Sequence, residues 1–175
     1  MSVPGPAIIL IGPPGAGKST IGAALAERLG AAFLDTDAAI EAAAGRSISD
    51  IFVDDGEPRF RQLELDTVLL ALKEHPGVLS LGGGAVMTDG IAAALADQRH
   101  EGSVVFLDVG IADAASRVGF DASRPMLVIN PRASWNRLMK ARRPTYERLA
   151  HLHVNTAGRD VKDICDEVQA AVWAR

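Results

Sequence analysis

Residues 12–19 read Gly-Pro-Pro-Gly-Ala-Gly-Lys-Ser, a fit to the phosphate-loop pattern G-x-x-x-x-G-K-[ST]. The flanks suit that pattern. Ala7–Ile11 before it is a continuous apolar run that reads as a buried strand, and Thr20–Leu29 after it reads as a helix. A strand–loop–helix of this kind aims successive backbone N–H groups, and the positive end of a helix dipole, at a bound phosphate. The glycines matter because a Cβ would hold the backbone away from the anion. Gly15, Ala16, Gly17, Lys18, Ser19 and Thr20 are therefore expected to cradle the phosphates of a nucleotide. In this pattern Lys18 reaches the β- and γ-phosphates and the Ser19 hydroxyl ligates Mg²⁺. A plain glycine-rich turn with an exposed lysine is the alternative, and the strand and helix on either side argue against it.

With 175 residues, 48% hydrophobic and 23% charged, the chain suits one soluble globular domain covering 1–175. No apolar run approaches the roughly 18 residues of a membrane span, and Met1–Pro6 lacks the basic start of a secretory signal. Cys165 is the lone cysteine, so no disulfide framework exists. A reducing, cytoplasmic setting is expected. Cys165 shares an apolar stripe with Val161, Ile164, Val168 and Val172, which reads as core. The net charge of −4 is unevenly spread: residues 117–159 hold nine Lys/Arg and two Asp/Glu, a local +7, so the remainder carries −11. Such a basic segment expects an anion. Overall acidity, the lack of interleaved aromatics and the phosphate loop favour a nucleotide with an acidic small molecule over nucleic acid.

Apolar strand-like runs alternate with helical patterns, which implies parallel βαβ units. The expected strands are 7–11, 32–35, 77–81, 104–109 and 151–155. The expected helices are 18–29, 37–44, 47–53, 58–74, 89–96, 112–118, 132–149 and 161–174. Residues 38–76 insert two or three helices between the second and third strands. Residues 119–131 lack a clear period and carry Gly, Ser and two Pro. Beside a phosphate loop, a segment of that length reads as a lid over the phosphates.

Phosphoryl transfer needs a cradle, a metal, positive charge near the moving group and a positioned acceptor oxygen. Asp35 and Asp37 close the second strand, near the usual ligand crevice of an open α/β sheet. At i and i+2 of an extended chain both carboxylates point one way: one suits the hydrated Mg²⁺ and the other an acceptor hydroxyl. An Asp helix cap is the plainer alternative. Val104–Asp108 competes as a metal-supporting strand, although a polar residue commonly marks a strand's exit from the core. Gly82, Gly83 and Gly84 follow the third strand and permit close backbone approach to a ligand. Arg61 and Glu64, at i and i+3, can pair on one helix face. Arg124 lies in the expected lid, and Arg142 and Arg143 in a basic helix. Only four of the eighteen basic residues are Lys, and arginine suits planar, bidentate recognition of carboxylate or phosphate. His151-Leu-His153 reads as an alternating, partly exposed strand rather than a metal pair.

Beyond these readings, the chain resembles the shikimate kinases over about 7–172. The resemblance rests on an ordered series: GPPGAGKST at 12–20, FLDTDAAIE at 33–41, GRSISDIF at 45–52, GEPRFRQLE at 56–64, SLGGGAV at 80–86, SRPML at 123–127 and RRPTYERLA at 142–150. It implies the nucleoside-monophosphate-kinase-like P-loop fold, a three-layer α/β/α arrangement whose five-stranded parallel sheet has order 2-3-1-4-5. It implies transfer of phosphate from ATP to shikimate, in aromatic amino-acid biosynthesis, with Mg²⁺. Carried over by motif, Asp35 supports the metal through water. Asp37 holds the substrate hydroxyls and serves as base toward the 3-hydroxyl. Arg61, Arg142 and the backbone of Gly82, Gly83 and Gly84 grip the carboxylate, with Glu64 orienting Arg61. Arg124 descends with the lid, Arg117 lies against the adenine, and Arg159 belongs to the adenine loop. Ile48, Phe52, Phe60, Pro125 and Met126 resemble the wall around the ring. Substrate-binding helices are placed at about 36–64. The adenine loop departs from the family: it reads Val154-Asn-Thr-Ala-Gly-Arg-Asp-Val161, where Val-Asp-Thr followed by a proline is common.

Other readings remain at this stage. A kinase for gluconate or a nucleoside monophosphate would share the loop, a slow nucleotide switch would too, and nucleic-acid binding would use the basic segment. The 56–64 and 80–86 motifs argue against the first, and the absence of N-K-x-D against a guanine switch. No long apolar face is left over, so a monomer is expected.

Overall fold

A computed structural model describes residues 5–97, 102–118 and 130–175. Its centre is a parallel sheet of five strands in the spatial order β2-β3-β1-β4-β5. The strands are β1 (Pro6–Ile11), β2 (Phe33–Asp35), β3 (Gly77–Ser80), β4 (Ser103–Asp108) and β5 (Leu152–Asn155). Strand β1 is central because it is apolar throughout. Its Ile8, Ile9, Leu10 and Ile11 are all buried, as expected of a strand covered on both faces. It pairs with β3 through Ile9 and Leu79 and with β4 through Ile9 and Val104.

Eight helices connect the strands among the described residues: α1 (Lys18–Leu29), α2 (Thr36–Ala44), α3 (Ile48–Asp55), α4 (Glu57–Glu74), α5 (Asp89–Ala96), α6 (Ile111–Val118), α7 (Pro131–Leu149) and α8 (Val161–Trp173). Their starts follow from local chemistry. The Ser47 hydroxyl accepts from the Asp50 N–H at the head of α3, and the Asn130 side chain accepts from the Ala133 N–H at the head of α7. Pro58 sits in the first turn of α4, where its missing N–H costs little. The expected boundaries hold to within two residues. A short 3-10 turn at Ala85–Met87, absent from the sequence reading, follows the three glycines.

The main core packs helices α1, α4, α5, α7 and α8 against the sheet. Cys165 is fully buried within it, on the stripe the sequence indicated. A second, smaller cluster of Ile40, Ile51 and Phe60, flanked by Ile48, Phe52 and Leu63, joins α2, α3 and α4. The inserted helices thus have an apolar centre of their own, beside the C-terminal edge of β2 and β3. No helix among the described residues is long and apolar enough to cross a membrane. The expected lid at 119–131 lies almost entirely outside the described residues, and so do Arg124, Pro125 and Met126. Its last position, Pro131, instead opens α7.

Candidate active site

The loop after β1 and the head of α1 form one wall of a pocket of about 450 Å³. Gly15 and Gly17 adopt φ of 81° and 88°, a left-handed backbone that glycine enters without steric cost. Gly15, Gly17, Lys18, Ser19 and Thr20 all line the pocket. Ala16 is buried behind them and is not among the lining residues. The Lys18 ammonium folds over the loop, donating to the carbonyls of Gly12 at 2.8 Å and Pro13 at 2.9 Å. Facing it, the Ser19 hydroxyl donates to Asp35 Oδ2 at 2.5 Å.

Asp35 does two jobs. Its Oδ1 accepts from the N–H groups of Asp37 and Ala38, so it is the cap of α2, while Oδ2 faces Ser19. The extended i, i+2 geometry expected for Asp35 and Asp37 is therefore not what brings them together. The cap starts the helix at Thr36, and Asp37 occupies its first turn. Both carboxylates nevertheless line the pocket.

Arg117, at the end of α6, closes the far side of the loop. Its guanidinium donates to the Gly15 carbonyl (3.2 Å), the Thr156 hydroxyl (3.0 Å) and the Thr156 carbonyl (2.9 Å). Thr156 is buried and also reaches the carbonyls of Ala16 and Asp108. Sequence reasoning passed over this threonine, which ties the exits of β4 and β5 to the phosphate loop. Arg159 behaves differently from Arg117. It pairs with Glu167 of α8 at 2.6 Å and donates to the Asn155 carbonyl, and it is not among the pocket-lining residues.

The opposite wall is the glycine segment after β3. Gly82 and Gly83 line the same pocket as Lys18. A Cβ on Gly82 would come within 2.6 Å of Asp37 Oδ1 and 2.8 Å of Glu64 Oε1. On Gly84 it would come within 2.7 Å of the Arg61 guanidinium and 3.0 Å of that of Arg142. Two carboxylates and two guanidiniums thus press on backbone that only glycine leaves open. Arg61 and Arg142 come from helices α4 and α7, eighty-one residues apart in the chain, and meet at this one place. Arg61 is held from behind by Glu64 at 2.7 Å, and Glu64 is only 1% exposed. A freely solvated surface pair is therefore excluded. Burial pushes the Glu64 carboxyl above its usual range, although the neighbouring Arg61 charge opposes this. The Arg61 guanidinium also lies 5.2 Å over the Phe60 ring, and Phe60 packs on Phe52 at 4.9 Å.

Asp108, weighed above as metal support, is not among the pocket-lining residues, and both its oxygens are engaged. Arg143 forks onto both its oxygens at 2.6 and 2.8 Å, His153 Nε2 adds a contact at 2.9 Å, and the Val109 N–H donates to it. Burial alone would raise this carboxyl. The bonds from Arg143 and His153 outweigh that and hold it below the usual carboxylate range. His151 Nδ1 accepts from the Val104 N–H, so His151, just before β5, and His153 within it face different partners. No group of three or more metal-type ligands occurs among the described residues.

A loop of glycines at the head of a helix, on the central strand of a parallel sheet ordered 2-3-1-4-5, defines the P-loop, nucleoside-monophosphate-kinase-like fold. The site adds, opposite the phosphate loop, a wall where two guanidiniums and two carboxylates meet glycine backbone. Comparison with known proteins narrows this further. The family model described as shikimate kinase matches residues 14–173. A shikimate kinase of Thermobifida fusca is 55% identical over 152 residues, covering 87% of this chain and 86% of its own. A shikimate kinase of Streptomyces avermitilis is 48% identical over 167 residues, covering 95% of each. The structure of a shikimate kinase from Acinetobacter baumannii in complex with shikimate superimposes with a TM-score of 0.91 at 34% identity. It covers 98% of this chain and 94% of its own. The chain belongs to the shikimate kinase family.

Proposed function

We propose that this protein transfers the γ-phosphoryl group of ATP to the 3-hydroxyl of shikimate, a step of aromatic amino-acid biosynthesis. One observation carries the reading. Arg61 and Arg142 converge on Gly84, on the same glycine segment whose Gly82 and Gly83 line the pocket of Lys18. An anionic, hydroxylated ring clamped there stands within reach of a nucleotide's terminal phosphate.

The phosphate loop holds the triphosphate through the N–H groups of Gly15, Ala16 and Gly17, with Ser19 and Thr20 at the head of α1. Lys18 leaves its loop carbonyls for the β- and γ-phosphates and matches charge that spreads over the γ-oxygens in the transition state. Arg117, pinned by Thr156, offers its guanidinium plane to the base, and Arg124 completes the charge around the phosphates. Arg159, engaged with Glu167, takes part only at the rim of the base site.

Ser19 Oγ and Asp35 Oδ2, 2.5 Å apart beside the loop, are hard oxygen donors of the kind Mg²⁺ selects. Ser19 and Asp35 would hold Mg²⁺ there, and the metal would supply positive charge that offsets the charge of the phosphates. Asp35 already spends one oxygen on the α2 cap, so it contributes the other, through water.

On the acid side, Arg61, Arg142 and the backbone of Gly82, Gly83 and Gly84 grip the carboxylate. Asp37 accepts the proton of the 3-hydroxyl as that oxygen forms its bond to phosphorus and ADP leaves. Ile48, Phe52 and Phe60 supply apolar surface beside the ring. The protein is read as a cytoplasmic monomer of one domain. Among the described residues, the exposed large apolar side chains, Val53, Leu69, Leu70, Met87, Val161 and Trp173, are spread over four elements.

A coupled assay of ADP release with shikimate, gluconate and CMP as acceptors tests the reading. Turnover that requires shikimate is expected. Equal or faster turnover with either other acceptor, or ATP hydrolysis indifferent to all three, would overturn it.

A further inference from the structure

Tyr146 heads the large side chains that are fully buried, and none of the roles above uses it. It stands one helical turn beyond Arg142 on α7, on the same face. Its ring stacks on Phe106 of β4, with centroids 5.0 Å apart and planes 23° from parallel. Phe106 is itself braced by His153 at 4.6 Å and by the Arg143 guanidinium at 5.7 Å, both of which are bonded to Asp108. The phenol is therefore fixed from below. Its hydroxyl donates to the Gly83 carbonyl at 2.5 Å.

We infer that Tyr146 is a positioning residue for the acid half of the site, fixing the Gly83–Gly84 peptide plane against Arg142. The inference rests on the function proposed above and names what holds its carboxylate clamp in shape. A peptide group is planar and trans, so its C=O and N–H point opposite ways. Tying the Gly83 oxygen to a buried phenol on α7 aims the Gly84 N–H away from α7. Without that tie the plane has little to hold it. Gly83 and Gly84 have no Cβ, so a flipped peptide meets little steric resistance. At Gly84 the arginines leave no room for a side chain, and at Gly83 a Cβ would press on Pro14 and Arg142. The segment thus gains space for the ligand and loses the restraint that side chains would provide, and the tyrosine restores it. The Arg142 guanidinium stands beside the same glycine, 3.3 Å from where a Cβ on Gly83 would lie, so guanidinium and phenol meet at one peptide. Burial pushes the phenol up to about 12, with the Arg142 and Arg61 charges opposing, so it remains a donor throughout the working pH range.

Tyr146 is also the chain's single tyrosine, which makes it separately observable. Tyr146→Phe keeps the ring and deletes the tie. Its KM for shikimate should rise about five- to tenfold, while kcat and the KM for ATP stay within about twofold. In an Arg142→Ala background the same change should add less than about twofold to the shikimate KM, because the shared partner is gone. A purely architectural role would instead lower the active fraction and kcat without moving KM. Protein grown with 3-fluorotyrosine carries one ¹⁹F resonance and needs no variant to fold. Shikimate should shift it saturably, and ATP alone should leave it nearly in place. An unchanged shikimate KM in Tyr146→Phe, full additivity with Arg142→Ala, or a resonance indifferent to shikimate would each overturn the inference. Wild-type protein that does not phosphorylate shikimate would instead overturn the proposed function.

Discussion

The two walls of the pocket are built by different means. The phosphate wall is nearly contiguous: residues 12–20 form it, with Arg117 added from the end of α6 and Thr156 from the exit of β5. The acid wall is assembled from four separate places: Asp37 on α2, Arg61 and Glu64 on α4, the glycines after β3, and Arg142 with Tyr146 on α7. A local wall owes its shape to backbone conformation, and any acceptor's kinase can share it. A composite wall owes its shape to packing between elements, and it is where substrate identity is set. Damage to the first should remove turnover for every acceptor, whereas damage to the second should change which acceptor is used and how well it is held.

Lys18→Ala should have the largest effect, lowering kcat about a thousandfold or more by removing charge aimed at the transition state. ADP release at saturating substrates would check this, and near-normal kcat would dissolve the distinction between the walls. Asp37→Asn comes next. It keeps the shape and removes the proposed proton acceptor, so kcat should fall about a hundred- to a thousandfold with the KM for ATP little changed. Gly82→Ala should follow. Its methyl would collide with the carboxylates of Asp37 and Glu64, and titration calorimetry should find shikimate binding nearly lost while ATP binding persists. Arg61→Lys and Arg142→Lys each replace a two-pronged donor by a point charge, and should raise the shikimate KM about tenfold or more. A matching rise in the ATP KM would show that the two walls are not separable.

The smallest effect concerns the brace beneath both walls. Asp108→Asn should cost about 1–3 kcal/mol of stability at pH 7 by leaving Arg143 poorly matched. The folded-state carboxyl lies below its usual range, so its contribution is present above the ordinary carboxylate pKa and is lost as pH falls through the lowered value. Urea unfolding at pH 7 and pH 3 should show the wild type and variant converging at the lower pH.

The phosphate wall could be read before folding because its residues are neighbours in the chain. Three glycines, a lysine and a serine at fixed spacing admit one main use. Helix and strand positions were legible for a similar reason, since period and caps are local. The acid wall was legible only in pieces. Arg61 and Glu64 could be read as a pair on one helix face, and only the fold shows that Glu64 is buried beneath Gly82. Asp35 and Asp37 were expected to share an extended strand, and the cap made by Asp35 turned the chain into a helix between them. Asp108 offered the pattern of a metal strand, and Arg143, thirty-five residues later, occupies it. Thr156 and Tyr146 stand in recognisable motifs but carried no role, because a hydroxyl says nothing of its partner until the fold supplies one. For Tyr146 a clue was available: its i+4 spacing from Arg142 places both on one helix face.

Hydrophobic alternation and one glycine-rich octapeptide are enough to specify a parallel sheet with a phosphate site at the head of its first helix, because both act over a few residues. The meeting of two arginines, one from α4 and one from α7, on bare backbone between them depends on how helices cross the sheet. That crossing is fixed by contacts such as Phe106 under Tyr146 and Arg143 on Asp108, between residues tens of positions apart. Long-range packing has no spacing rule to read, so the chemistry of the acid wall emerges only when the chain has folded.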